Sequence, residues 1–240
     1  MGETVSFATV SGRAQGHLAA GLPGPGVLLL PDFQNLAPAL VAAAERLARN
    51  GFPTLILDLL GSQGGSGFGS DEYYPSQFYA RDLAAVADDL NGAAWFLLHH
   101  PLVRGTGVCA AGAGGGAAIA LWAAGISPRI RAVSAAYPAR NLWRFEGIQP
   151  GGMEGCHTIL HLADDDTEFG QADAEQLRAA LSRGGAQLTI YSYPGTRRWF
   201  LDETRPDLYH PEAAAQVWER TMAAARTAAR AQPAPGAPTA

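Results

Sequence analysis

Gly107–Leu121 reads GVCAAGAGGGAAIAL, an apolar strand-like entry, a turn crowded with glycine and an alanine-rich helix. Two chemistries use that shape. Gly112-x-Gly114-x-x-Ala117 matches a dinucleotide-binding turn, in which backbone amides face a pyrophosphate at a helix start. Such a turn follows the first strand of its unit and is answered about 20 residues on by an acid at the end of the next strand. Here the following apolar run, Ile130–Tyr137, contains no acid. The other chemistry is nucleophilic, since a G-x-S/C-x-G elbow holds a reactive side chain on a sharp strand-to-helix corner. Gly107-Val108-Cys109-Ala110-Ala111 falls one glycine short of that pattern, and a small buried strand residue is the competing account of Cys109.

The remaining reactive types narrow the choice. All 17 basic residues are arginine, so there is no lysine for a Schiff base or a P-loop. A general base must then be a carboxylate, histidine, tyrosine or cysteine, because a guanidinium does not deprotonate. Cys109 and Cys156 are the two cysteines, too few for a disulfide scaffold or a cysteine-rich zinc site. His161 lies inside an apolar run, His210 at a helix start, and His99 and His100 at a helix end. No metal or cofactor is expected. The net charge of −5 argues against nucleic acid and anionic membranes, and no apolar segment reaches 18 residues. A cytoplasmic monomer or homodimer is expected.

The elements that must position these groups alternate along the chain. Strands are predicted at Gly26–Leu30, Thr54–Asp58, Thr106–Ala111, Ile130–Tyr137, Thr158–Leu162 and Gln187–Tyr193. Helices are predicted at Leu36–Asn50, Phe78–His100, Ala113–Ala124, Ala172–Ser182 and Pro211–Ala229. Continuous apolar runs such as GVLLL suit strands buried on both faces. The alternation predicts a three-layer α/β fold with a mostly parallel sheet, in which ligands sit beyond the carboxyl ends of the strands. With 240 residues, one domain over 1–230 is expected, followed by a disordered Pro/Ala-rich tail at 231–240. Gly61–Pro75 is a glycine-rich stretch that reads as a lid or a solvated connection.

Six segments resemble the dienelactone hydrolase family of α/β-hydrolase folds, in the family's order. LPDFQNL (Leu30–Leu36) is similar to its H-E-x-F-G-L segment, and Ala44–Gly64 to its helix, strand and D-L-Y-G-x-Q-G loop. The glycine-rich corner is similar to its elbow. LHLADDD (Leu160–Asp166) resembles the strand that carries the triad acid, and YPGTRRWF (Tyr193–Phe200) resembles Y-P-G-x-x-H-x-F, which carries the triad histidine. PEAAAQVWERT (Pro211–Thr221) resembles the closing helix.

The resemblance implies a departure from the family's chemistry. Matching Gly114 and Gly115 to the paired glycines after the family's cysteine puts Gly112 at the nucleophile position, and Arg198 falls at the histidine position. Asp166 alone matches the triad. The implied oxyanion donors are the backbone N–H groups of Ala113 and Phe33, and Asp32 stands in place of the family's active-site glutamate. Tyr137, at the end of a strand on the same side, offers a phenol to a ligand or fills the sheet's end. Tyr73, Tyr74, Phe78, Tyr79 and Arg81 fall where the family places substrate contacts, while Trp143, Trp199 and Phe200 are expected to pack or to line a pocket. Asp32, Asp166 and Arg198 form the expected catalytic set. They suit proton transfer beside a carbonyl in a lactone, enone or polyketide-type molecule, with Asp32 as base and Asp166 orienting Arg198. Two other functions stay open, a pocket that binds without chemistry and a hydrolase with a relocated nucleophile. A one-residue slip along the strand would exchange Arg197 for Arg198.

Overall fold

The computed structural model describes residues 2–32, 37–59, 81–139 and 150–232. Eight strands form one sheet: β1 Glu3–Ala8, β2 Arg13–Ala19, β3 Val27–Leu30, β4 Thr54–Leu57, β5 Val108–Ala113, β6 Ile130–Ala136, β7 His157–Asp165 and β8 Gln187–Arg197. Among the described residues, five α-helices accompany them: α1 Pro38–Arg49, α2 Leu83–Leu98, α3 Gly115–Ile126, α4 Gln171–Arg183 and α5 Pro211–Arg230. The strand order is β1-β2-β4-β3-β5-β6-β7-β8. β1 and β2 pair antiparallel with their neighbours and all later pairs are parallel.

The central parallel strands β3, β4 and β5 are almost wholly buried because both faces are covered. Leu28, Leu30, Leu55, Leu57, Val108, Ala110 and Val133 face a core shared with α2, α3 and α4. Val27, Leu29, Ile56, Cys109, Ala111 and Ala132 face the opposite core, shared with α1 and α5. Small residues let α3 lie close to the sheet, and Gly115 through Gly125 of that helix are all buried.

The expected alternation of elements is present, with ends shifted by a few residues. The N-terminal β1–β2 hairpin is an addition to the expected set. Its outer strand keeps one residue, Phe7, buried, so its periodicity is weak. β8 runs on to Arg197, four residues past its expected end at Tyr193, because its pairing with β7 continues as far as Asp165. Gly61–Pro75, Tyr73, Tyr74, Phe78, Tyr79, Trp143 and nearly all of the tail (233–240) lie outside the described residues. No helix among the described residues is long and apolar enough to cross a membrane.

Candidate active site at the strand-to-helix corner

β5 ends at Ala113 and α3 begins at Gly115, so the whole corner is made by Gly114, at φ 57° and ψ −123°. Glycine alone enters that backbone region without steric cost. The residue two before it, Gly112, would carry a Cβ only 2.4 Å from the Gly116 carbonyl carbon, and a Cβ on Gly116 would stand 2.2 Å from the Leu30 oxygen. These glycines let β3, β5 and the first turn of α3 approach to backbone contact. The corner position is therefore Gly114, which corrects the expected register. Gly112 is a regular strand residue, paired with Leu30 and Ala135. An all-Gly/Ala segment has no side-chain pattern to mark its register, which is why a two-residue slip was possible.

Asp32 reaches the same point from the end of β3. Its Oδ1 accepts the Gly115 N–H at 2.9 Å. Gly114 has no side chain to cap α3, so the carboxylate of another strand serves as cap, at the helix end where a negative charge is favoured. Its Oδ2 lies 2.5 Å from where a Cβ on Gly114 would stand. The carboxylate thus occupies the space that a corner side chain would fill. The N–H after the corner belongs to Gly115 and not to Ala113, a second consequence of the shifted register. Phe33 lies outside the described residues.

Asp166 and Arg198 meet as expected. Arg198 Nη1 lies 3.2 Å from Asp166 Oδ2, their side chains 12% and 1% exposed, and Arg198 Nη2 lies 3.3 Å from Glu168. Asp166 Oδ1 also accepts the N–H groups of Glu168 and Phe169, closing the turn after β7. Arg197 points outward to an exposed pair with Asp165, so Arg198 is the inward residue. Its guanidinium carbon sits 5.6 and 5.5 Å from the ring centres of Tyr137 and Trp199.

A pocket of about 120 Å3 opens between the sheet and the α1 and α5 helices. Asp32, Gly112, Ala113 and Tyr137 line it together, with Ser134, Trp199, Asp202, Trp218 and Thr221. Asp166 and Arg198 are not among its lining residues; Arg198 lies against two rings that are. Tyr137 follows β6 at φ 34° and is buried, its ring edge-on to Phe200. Burial and the nearby Asp32 carboxylate push its phenol far up, so it stays a neutral O–H.

The other candidates fall in structural roles. Cys109 is buried inside β5 and its thiol is pushed up by desolvation. Cys156 precedes β7 at the amino end of the sheet, its thiol raised to about 11 by burial. His210 caps α5 through Ala213 N–H. Arg81 makes a buried ion pair with Asp89 at 2.6 Å. Ser134, Thr221, Asp202 and Trp218 lay beyond sequence reasoning, because nothing local distinguishes a serine within an apolar strand.

The fold and the corner define the class: this is an α/β-hydrolase fold. The dienelactone hydrolase family model matches residues 11–228, and the chain belongs to that family. Among solved structures, an assigned dienelactone hydrolase of Klebsiella pneumoniae subsp. pneumoniae aligns at TM-score 0.75 and 20% identity, over 94% of this chain and 98% of its own. A dienelactone hydrolase-like promiscuous phosphotriesterase from metagenomic libraries aligns at TM-score 0.74 and 20% identity, over 95% and 98%. The dienelactone hydrolase of Anabaena variabilis aligns at TM-score 0.63 and 21% identity, over 93% and 95%. No curated protein matches the chain in sequence.

Proposed function

We propose that this family member works without the covalent nucleophile and base of a hydrolase triad, and that its pocket carries out proton transfer on a small carbonyl compound with Asp32 as base. The observation that carries the reading is the corner itself, where Gly114 offers no nucleophile and the Asp32 carboxylate fills its place. A carboxylate has two oxygens. Oδ1 is held by the Gly115 N–H, which fixes the group on a rigid helix end, while Oδ2 is the oxygen on the corner side.

The chemistry follows from that placement. Oδ2 takes a proton from the carbon beside the carbonyl; the C–H electron pair becomes a C=C bond and the carbonyl π pair moves to oxygen. The enolate oxygen is assigned to the neutral phenol of Tyr137, which lines the pocket with Asp32. Returning the proton to a different carbon completes an isomerisation; expelling a leaving group completes an elimination. No step draws on a cofactor.

Hydrogen–deuterium exchange of a cyclic ketone in D2O, followed by NMR, tests the reading. The protein should exchange the α-hydrogens faster than buffer, and Asp32→Asn should lower that rate by about 10²–10⁴-fold. A chromogenic ester should be left intact. An exchange rate indifferent to Asp32→Asn defeats the proposal, and ester hydrolysis abolished by Cys109→Ala would establish the relocated nucleophile instead. A binding role without chemistry is the second reading, favoured by the occupation of the Gly115 N–H by Asp32. In that case Asp32→Asn would change affinity with no exchange to lose.

A further inference from the structure

Beneath the pocket, five side chains from β6, β7, β8 and α5 form one hydrogen-bonded chain. Thr221 Oγ1 donates to the Val217 carbonyl at 2.9 Å. Ser134 Oγ lies 2.7 Å from Thr221 Oγ1 and 3.0 Å from His161 Nε2. His161 Nδ1 lies 2.7 Å from the Tyr193 hydroxyl, which accepts from the Arg220 guanidinium. Ser134, His161, Tyr193 and Thr221 are all buried.

Counting hydrogens sets the direction. Thr221 has one hydroxyl hydrogen and the Val217 carbonyl can only accept, so the Ser134–Thr221 bond uses the serine's hydrogen. Ser134 then accepts from His161 Nε2–H, which makes Nδ1 the acceptor for the Tyr193 O–H. Tyr193 oxygen accepts from Arg220, and every hydrogen is used. The reverse assignment gives up the Thr221–Val217 bond and leaves the Tyr193 O–H with none of these partners. Burial pushes His161 down to about 3, with Arg220 adding to it, so a neutral ring carries this pattern. The serine hydrogen points away from the imidazole, so Ser134 and His161 do not form an activated nucleophile pair.

The direction has a consequence for ligands, since Ser134 and Thr221 both line the pocket. Each hydroxyl oxygen has already spent its hydrogen and keeps one lone pair, so both floor hydroxyls can only accept. Asp32 brings a carboxylate to the same lining, as does Asp202, which is paired with Arg205 at 3.1 Å, and the rings of Tyr137, Trp199 and Trp218 already carry the guanidinium groups of Arg198, Arg205 and Arg46. Among the described residues of the lining there is no arginine or histidine. A carboxylate ligand would meet the Asp32 carboxylate and two acceptors. A cation would meet the attraction of Asp32 and two oxygens for its N–H groups.

We propose that the pocket takes a small aliphatic amine, bound as its ammonium with N–H groups on the oxygens of Ser134 and Thr221. This deepens the proposed function by naming a substrate class, molecules that carry an amine beside the reacting carbonyl, and it rests on that reading only in placing the substrate in this pocket. The test uses three probes of one shape, isobutylamine, isobutanol and isovalerate, titrated at pH 7 against the full chain by tryptophan fluorescence. The amine should bind at least tenfold more tightly than the alcohol, and the carboxylate should not bind. Thr221→Val, which keeps the volume, and Ser134→Ala should each weaken the amine about fivefold and leave the weak alcohol binding within twofold. Equal binding of alcohol and amine, preferred binding of isovalerate, no binding of any probe, or amine binding unmoved by both variants overturns the proposal. Amine binding with no Asp32-dependent exchange would sink the catalytic reading alone; Asp32-dependent ketone exchange without amine preference would sink this one alone.

Discussion

The Gly114 corner and the Asp166–Arg198 pair stand on the same side of the sheet, and they are built by opposite means. The corner is made from missing side chains: backbone approaches within van der Waals contact, and the Asp32 carboxylate is added to it from the segment after β3. The pair is made from a large side chain, Arg198, held by a buried aspartate, an exposed glutamate, a backbone carbonyl and two ring faces. A site of the first kind tolerates no added atom. A site of the second kind tolerates a change of side chain provided that charge is cancelled.

Gly116→Ala sharpens that contrast most. Its Cβ would stand 2.2 Å from the Leu30 oxygen, a backbone atom that cannot swing aside. The expected loss is about 3 kcal/mol or more by urea denaturation, the upper range for overpacking. A loss below 1 kcal/mol would mean that β3 and α3 are free to separate. Asp166→Ala should cost somewhat less, about 2–3 kcal/mol, because it removes the buried partner of Arg198 and two turn hydrogen bonds. Adding Arg198→Met should recover part of that loss, since the orphaned charge goes with it. A double variant less stable than Asp166→Ala would show that the guanidinium packs on its rings without needing the aspartate.

Acid extends the comparison to the neutral chain under the pocket. His161 titrates near 6.5 in the unfolded chain and at about 3 in the folded one, where burial and the facing Arg220 disfavour the imidazolium. Between those values the unfolded state binds more protons, so stability should be full above pH 6.5 and fall as the pH drops towards 3. The slope from this one group is at most ~1.4 kcal/mol per pH unit. His161→Gln should flatten the slope between pH 6 and 4 in urea titrations. An unchanged slope would assign the acid sensitivity to the carboxylates.

Much of the architecture was legible from the chain because a parallel sheet buried on both faces demands continuous apolar runs, and helices between them demand their own spacing. The Asp166–Arg198 contact was legible too, since two motifs in the family's order place both residues at adjacent strand ends. His161, inside an apolar run, is buried and bonded at both ring nitrogens. The β1–β2 hairpin was not legible, because its outer strand has little apolar alternation to mark it.

What the sequence determined by itself, then, is the order of elements, the location of a side-chain-poor corner within 107–121, and the acid–arginine pairing. Tertiary structure alone decided that Gly114 makes the corner, that Asp32 fills it, and that residues 134, 161, 193, 220 and 221 join under one pocket. The reason is physical. Glycine and alanine hold no record of register, and a hydrogen-bonded chain across three parallel strands and a helix exists only once their stagger is set by the packed sheet.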